Sequence, residues 1–126
     1  MTYVGPLYGQ ALLDEYASAS VLVLPSRHES SPMVVQQAMA AALPVIASRS
    51  GGADRLVDDG TTGVLVAADD VMALADAIDR LLTGADLGSM GRASRSAADR
   101  FRERTVALAT LEAYDEVLRS ARPAPR

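Results

Sequence analysis

The sequence predicts an α/β fold built on a short parallel sheet. Two apolar runs, Val21–Leu24 and Pro44–Ala47, are rich in β-branched residues and too short for helices, which indicates buried strands. The stretch between them is long enough for a helix and carries almost no charge. Strand, helix and strand in this order give two parallel strands joined by a crossover helix. A third apolar run, Gly63–Val66, continues the pattern.

The crossover helix is predicted to begin at Ser31, a favourable N-cap residue, with Pro32 at the first helical position. Residues 33–42 leave no polar face, so we expect this helix to be covered on both sides. Gln36 and Gln37 lie in its middle. Because a buried amide is costly unless it is hydrogen-bonded, the simplest interpretation is that these amides bond neighbouring loops, which accounts for one of them better than for two.

The other elements follow from apolar periodicity and from turn residues. In chain order they are a strand candidate at Tyr3–Leu7, a helix at Gln10–Ala19, a turn at Ser50-Gly51-Gly52, a short helix at Ala53–Val57, a helix from Asp69 or Asp70 to Thr83, a helix at Asp86–Arg102 with a break near Gly91, and a last helix at residues 105–121. Residues 122–126 are expected to form a frayed tail.

Length and composition limit the possible functions. At 126 residues and 49% hydrophobic content, the chain is expected to form one domain, residues 1–126, around one core. Without cysteine it has neither disulfides nor a thiolate metal site, and one histidine with dispersed carboxylates predicts no metal. The net charge of −4 and only 4 tyrosines and 1 phenylalanine argue against nucleic acid. We expect no membrane span, no signal peptide and a cytoplasmic location.

One polar loop is the best place for a binding site. Residues 25–31 leave the carboxyl end of the first predicted strand, where open α/β sheets bind their ligands. The loop contains Glu29 and the only histidine, His28. Any site in this chain is therefore expected to begin here.

Several separated motifs resemble one enzyme family. PSRHESSPMVVQQAMAAALPVIAS at residues 25–48 is followed by Gly51-Gly52 and by DGTTGVLV at residues 59–66. These motifs resemble the donor-binding segment of retaining, nucleotide-sugar-dependent glycosyltransferases of the group 1, family 4 type. That family has the two-domain GT-B fold. The resemblance implies a partial Rossmann-like, three-layer α/β/α domain of the GT-B C-terminal type that lacks its first strands.

The resemblance assigns roles at the start of the crossover helix. Glu29 matches the family glutamate that contacts the donor sugar near the reacting carbon. The backbone N–H groups of Met33 and Val34 would face the donor diphosphate, as expected for an anion at a helix N-terminus. Ser31 is included in this predicted diphosphate site. Pro32 stands where the family often has glycine, which removes one N–H donor.

Other family positions are changed in this chain. Gln37 replaces the glutamate that binds the ribose hydroxyls, and a neutral acceptor is about half as strong as a charged one. Gly51 and Gly52 would lie beside the diphosphate. Ala42 replaces a glycine, at a cost of about 1 kcal/mol if its φ is positive. Arg55 stands where the family usually has a glutamate.

The resemblance also implies what accompanies this segment. A family member has an N-terminal domain that binds the acceptor, and its donor domain opens with strands and basic diphosphate ligands that this chain lacks. The expected donor substrate is a nucleotide-diphosphate sugar used in glycan biosynthesis, without a bound cofactor. The isolated chain is expected to be inactive.

Two other functions and one assembly remain open. A non-catalytic interaction module would suit the altered residues Gln37 and Arg55. A flavodoxin-like receiver domain is disfavoured, because no acidic cluster follows a first strand.

Val21–Leu24 would form a sheet edge, and its apolar sequence has none of the charged residues, prolines or bulges that usually protect an edge strand. We therefore expect a homodimer, through this edge or by exchange of the N-terminal segment or the last helix. The alternative is that Met1–Leu7 folds back and covers the edge within one chain.

Overall fold

The computed structural model describes residues 2–84 and 86–120. It contains three strands, five α-helices and two 3₁₀ turns in this described part. In chain order they are α1 (Gly9–Ser18), β1 (Leu22–Leu24), α2 (Met33–Ala40), β2 (Val45–Ser48), a 3₁₀ turn (Ala53–Arg55), β3 (Gly63–Val66), α3 (Val71–Gly84), α4 (Leu87–Ala97), a second 3₁₀ turn (Ala98–Phe101) and α5 (Glu103–Ser120).

The strands form a parallel sheet in the order β1-β2-β3, with Val45 of β2 opposite Leu22 of β1 and Gly63 of β3. All four residues of β2 are buried, as expected for a central strand with both faces covered. Alternate side chains point to opposite faces, so Ile46 belongs to a different core cluster from Val45. The first cluster packs against α2 and the second against α3, which confirms the predicted three-layer α/β/α arrangement.

The two edges of the sheet differ. Beyond β3, the Asp59 carboxylate accepts a hydrogen bond from the Leu65 N–H at 2.9 Å, and the Gly60 N–H donates to the Gly63 carbonyl at 2.8 Å. On β1, the Leu22 N–H donates to the Pro44 carbonyl, next to β2, at 3.0 Å. Because successive residues of a strand direct their backbone groups to opposite sides, the N–H and carbonyl of Val23 point away from β2. Among the described strands, β1 has β2 as its one partner.

Two sequence-based elements are wrong. Tyr3–Leu7 forms no strand, and its Tyr3 side chain is 90% exposed, because no described strand lies beside it to supply hydrogen bonds. The predicted break near Gly91 is also absent, since α4 runs through it and gives way to a 3₁₀ turn at Ala98. Gly91 is buried where an added Cβ would lie 2.3 Å from the Ala42 carbonyl oxygen, so it serves close packing.

Helix α2 differs from its prediction at the start and in its burial. Pro32, rather than Ser31, is the N-cap residue, and no side chain caps the helix. Met33 is 69% exposed and Gln37 is exposed, so α2 is covered on one side only. Gln36 donates to the Ser31 hydroxyl at 3.1 Å, a contact that takes the place of the expected cap.

The remaining helices are close to the expected bounds. Asp70, one of two candidates, caps α3 by accepting from the Ala73 N–H at 2.9 Å. Helix α1 has no buried residue, and its Leu13 is 59% exposed. Helix α5 has no buried residue. The predicted tail, residues 122–126, lies outside the described residues.

Ala42, in the connection from α2 to β2, has a φ of 63°. This left-handed conformation strains any residue with a Cβ. We therefore expect Ala42→Gly to raise the free energy of unfolding by about 0.5–1 kcal/mol. Urea denaturation followed by circular dichroism measures the change. Ala41, whose φ is −84°, is the matched control, and Ala41→Gly should lower stability. Equal effects of both variants would contradict strain at position 42.

Candidate functional site

The loops after β1 and β2 meet at the carboxyl edge of the sheet. The Glu29 N–H donates to the Ser50 carbonyl at 3.2 Å, and the Gly52 N–H donates to the Glu29 carbonyl at 2.7 Å. These bonds form an isolated parallel bridge between Glu29 and Gly51. They fix the backbone of Glu29, whose side chain is partly buried, at the edge where α/β folds bind ligands.

The start of α2 lies directly after this bridge. The first helical hydrogen bond runs from the Val35 N–H to the Pro32 carbonyl at 3.1 Å. The N–H groups of Met33 and Val34 precede it and have no acceptor within residues 2–84 and 86–120. Free N–H groups and the helix dipole together attract an anion. Because the Ser31 hydroxyl accepts from Gln36, its own O–H stays available as a further donor.

Gly51 and Gly52 allow the two loops to approach closely at the bridge. An added Cβ at Gly52 would lie 2.6 Å from the backbone of Glu29 and Ser30, so only glycine fits without movement. Gly51 has a φ of +89° and donates its N–H to the Asp54 carboxylate at 3.0 Å. Both glycine N–H groups are thus bonded within the chain. Contact of the pair with a diphosphate remains a prediction.

Gln37 lies one turn further along α2, on the side facing α1. Its side-chain oxygen accepts a hydrogen bond from the Tyr16 hydroxyl at 3.1 Å. Burial raises the pKa of Tyr16, a shift that favours the neutral phenol that donates this hydrogen bond. Both residues line a cavity of about 400 Å³ that also includes Leu12 and Arg95. This contact is not visible in the sequence pattern, because its two partners are 21 residues apart.

Two arginines near the loops are paired with aspartates. The Arg27 Nε lies 2.7 Å from Asp69, and this hydrogen bond and charge raise the pKa of Arg27. Arg49 lies 2.7 Å from Asp59 and 3.7 Å from Asp54. Sequence reasoning did not identify these pairs. They neutralise the positive charge that an anionic ligand would otherwise meet.

Arg55, at a family glutamate position, is exposed at the end of the first 3₁₀ turn. Its carbonyl accepts from Arg100 at 3.3 Å, so its backbone contacts the second 3₁₀ turn.

Among the described residues, no group of three or more His, Asp or Glu side chains could hold a metal. No helix in that part of the chain is long and apolar enough to cross a membrane.

Known proteins share this fold and sequence. Residues 1–84 match the family described as Glycosyl transferases group 1. The D-inositol 3-phosphate glycosyltransferase of Saccharomonospora viridis is 35% identical over 121 residues, which are 95% of this chain and 28% of that protein. The sucrose-phosphate synthase of Thermosynechococcus elongatus superposes with a TM-score of 0.83 at 34% identity, over 95% of this chain and 31% of that one. A glycosyltransferase of Rickettsia africae superposes with a TM-score of 0.77 at 25% identity, over 87% of this chain and 30% of that one.

These structural neighbours are GT-B glycosyltransferases, which confirms the predicted fold. The chain spans about 28% of the length of the curated relatives that it matches. The family match also decides against the flavodoxin-like receiver considered above. On these grounds the chain belongs to the Glycosyl transferases group 1 family.

Proposed function

We propose that this chain is the donor-binding portion of a retaining glycosyltransferase that transfers a hexose from a nucleotide-diphosphate sugar. One observation carries the proposal: Glu29 is fixed next to the helix start whose first two N–H groups, on Met33 and Val34, have no acceptor among the described residues. A carboxylate beside an anion-binding helix start suits a ligand with both hydroxyls and phosphates. The family match supports the class of reaction.

Each residue has a defined task in this proposal. Glu29 contacts the sugar hydroxyls near the reacting carbon. Met33 and Val34 donate to the diphosphate, with the Ser31 hydroxyl beside them. Gln37 binds the ribose through the hydrogen-bonding capacity that Tyr16 leaves free. No cofactor takes part, and the proposed location is the cytoplasm.

We expect the chain alone to bind nucleotide sugars with a Kd in the millimolar range or weaker. Arg27 and Arg49 are each bound to a carboxylate, so neither is free for the diphosphate without breaking an ion pair. Losing two charge-assisted contacts of about 1.5–3 kcal/mol each removes most of the affinity of a micromolar site. Calorimetry and an NMR titration with several nucleotide-diphosphate sugars measure the Kd. A micromolar Kd for any of them would contradict this expectation.

Two substitutions separate the roles of Glu29 and Gln37 in an active enzyme that contains this segment. Glu29→Ala should lower kcat by about 100-fold or more, because its contact strengthens at the reacting centre. Gln37→Glu should instead lower the donor KM several-fold, since a charged acceptor binds a hydroxyl more strongly. Glu15→Ala on α1 is the control and should change neither constant. If both variants changed only KM, and by similar factors, the division of roles would be wrong.

A second function is favoured by the internal bonds of the site. Gln37 is bonded to Tyr16 and both Gly51 and Gly52 use their N–H groups within the chain. A site closed in this way would suit a non-catalytic interaction module derived from the same fold. An NMR titration decides: if no nucleotide sugar shifts the amide signals of Met33 and Val34 even at high millimolar concentration, the module is the better function.

We further propose that the chain forms a homodimer. This proposal is supported by the single described partner of β1 and by the exposed apolar residues of the last helix. The sequence indicates pairing of the open β1 edge or exchange of a terminal element. Light scattering of the purified chain over a range of concentrations measures its mass, and a monomer at the highest concentration would oppose the proposal.

A further inference from the structure

The Asp59-Gly60 pair opens the DGTTGVLV motif, and the proposed function uses neither residue. It is the only place in the chain where an aspartate is followed by glycine, and the chain has no asparagine. Because glycine has no Cβ, the backbone nitrogen that follows the aspartate can approach its carboxyl carbon with little steric hindrance. This pair is therefore the site at which the backbone of this chain isomerises most readily.

Isomerisation takes two steps and needs only water. In the first step the Gly60 nitrogen bonds to the side-chain carboxyl carbon of Asp59 and gives up its proton. One carboxyl oxygen leaves as water with that proton and the proton of the carboxylic acid, and a five-membered succinimide ring remains. In the second step a solvent water molecule opens the ring at either carbonyl. One product is aspartate again, and the other is isoaspartate, whose main chain runs through the side-chain carbons.

In the folded chain, the groups that must react are held by hydrogen bonds. Asp59 Oδ1 accepts from the Leu65 N–H at 2.9 Å, and its Oδ2 accepts from Nη2 of Arg49 at 2.7 Å. The Gly60 N–H donates to the Gly63 carbonyl at 2.8 Å. Ring closure breaks at least two of these three bonds, because one carboxyl oxygen must leave and the Gly60 nitrogen must lose its proton.

We propose that Asp59-Gly60 is a site of isoaspartate formation that the fold keeps unreactive, and that Arg49 is a main part of this protection. The side chains of Arg49 and Asp59 are 50% and 44% exposed, so water reaches the carboxylate and the ion pair opens at little cost. Arg49 also lies 3.7 Å from Asp54, a longer contact than its 2.7 Å to Asp59.

A second arginine lies near the pair without taking part in this protection. Asp59 and Gly60 line a surface cavity of about 660 Å³, and Arg80 lines the same cavity. Within residues 2–84 and 86–120, however, the ion pair of Asp59 is with Arg49 alone. The proposal is independent of the glycosyltransferase role, because neither Arg49 nor Asp59 belongs to the proposed donor site.

Comparison of the folded and the unfolded chain tests the protection without any substitution. Both are incubated under the same conditions, one of them in guanidinium chloride, and then digested with trypsin. Cleavage after Arg55 and Arg80 gives the peptide 56–80, in which chromatography and electron-transfer fragmentation locate isoaspartate. At residue 59 it should form about tenfold or more slowly in the folded chain, since ring closure must wait for local opening. Equal rates in the two states would overturn the proposal.

Substitution of Arg49 tests its share in the protection. In the folded chain, Arg49→Gln should raise the rate of isoaspartate formation at residue 59 about threefold, because an exposed ion pair is lost and the open state becomes more populated. Arg49→Lys keeps a charged donor and should stay near the original rate. Arg27→Gln is the matched control, since it removes another exposed pair, with Asp69, and should change nothing at residue 59.

Two further measurements make the result decisive. In guanidinium chloride all four chains should react at the same rate, because Arg49 protects only through the fold. Circular dichroism checks that each variant is folded before the incubation. An Arg49→Gln variant that reacts no faster than the original chain would overturn the role of Arg49, and so would an equal acceleration in Arg27→Gln.

Discussion

Gly63→Ala is expected to destabilise the folded chain strongly. An added Cβ at Gly63 would lie 2.0 Å from the Val45 carbonyl oxygen and 2.9 Å from its carbonyl carbon. Both atoms belong to the backbone of the central strand, so no side chain can rotate to make room. Relief requires β3 to move away from β2, which breaks the pairing that holds Val45 opposite Gly63.

We expect the free energy of unfolding to fall by about 3 kcal/mol or more, because overpacking against backbone lies at the upper end of such effects. That is a large share of the stability of a domain of this size. Urea denaturation measures it. Gly84→Ala is the matched control, since an added Cβ there meets nothing within 4 Å. If Gly63→Ala and Gly84→Ala had the same stability, the close approach of the two strands would be wrong.

Gly52→Ala is expected to release the loop that carries Glu29. The added Cβ would lie 2.6 Å from the Glu29 carbonyl oxygen and from the Ser30 carbonyl group. The hydrogen bond from the Gly52 N–H to the Glu29 carbonyl, at 2.7 Å, must then lengthen or break. A displacement of about 1 Å at a reacting group is enough to lower turnover by about 100-fold.

Two measurements follow this change. Hydrogen exchange at the Glu29 and Gly52 amides of the isolated chain should become faster, and kcat of an active enzyme containing this segment should fall by about 100-fold. Gly51→Ala is the control, because an added Cβ there would lie 3.7 Å from its nearest neighbour, the Glu29 carbonyl oxygen, and would not clash. Its only expected cost is about 1 kcal/mol of backbone strain from the positive φ. Unchanged exchange at Glu29 in Gly52→Ala would mean that the bridge does not fix the loop.

The parts of the fold that depend on local sequence were predictable. β-Branched runs gave β2 and β3 to within one residue, and the Gly51-Gly52 pair marked the turn between them. The conditional expectation of a positive φ at Ala42 is confirmed at 63°. These features follow from which backbone conformations each residue type allows, and this information is carried within a few residues.

The features that depend on distant neighbours were not predictable. Tyr3–Leu7 has the composition of a strand, but a strand needs a neighbour, and the sequence does not state whether one is present. Gly91 suggested a helix break in the sequence. In the structure its missing side chain instead lets the backbone of Ala42, 49 residues away, pack closely against α4. At the candidate site, the bond between Tyr16 and Gln37 and the pairing of Arg27 with Asp69 arise only when the loops and helices meet.

The unequal edges of the sheet have a consequence for aggregation. Asp59 and Gly60 already bond two of the outer backbone groups of β3, the Leu65 N–H and the Gly63 carbonyl, so another strand cannot pair there without displacing them. A fibre grows by strand addition only if every molecule has two open sheet edges, because each molecule must pair with one neighbour on either side. With β1 alone open among the described strands, strand addition stops when two molecules have met. A concentrated solution should therefore resist formation of sheet-rich filaments for as long as the Asp59 side chain stays in place.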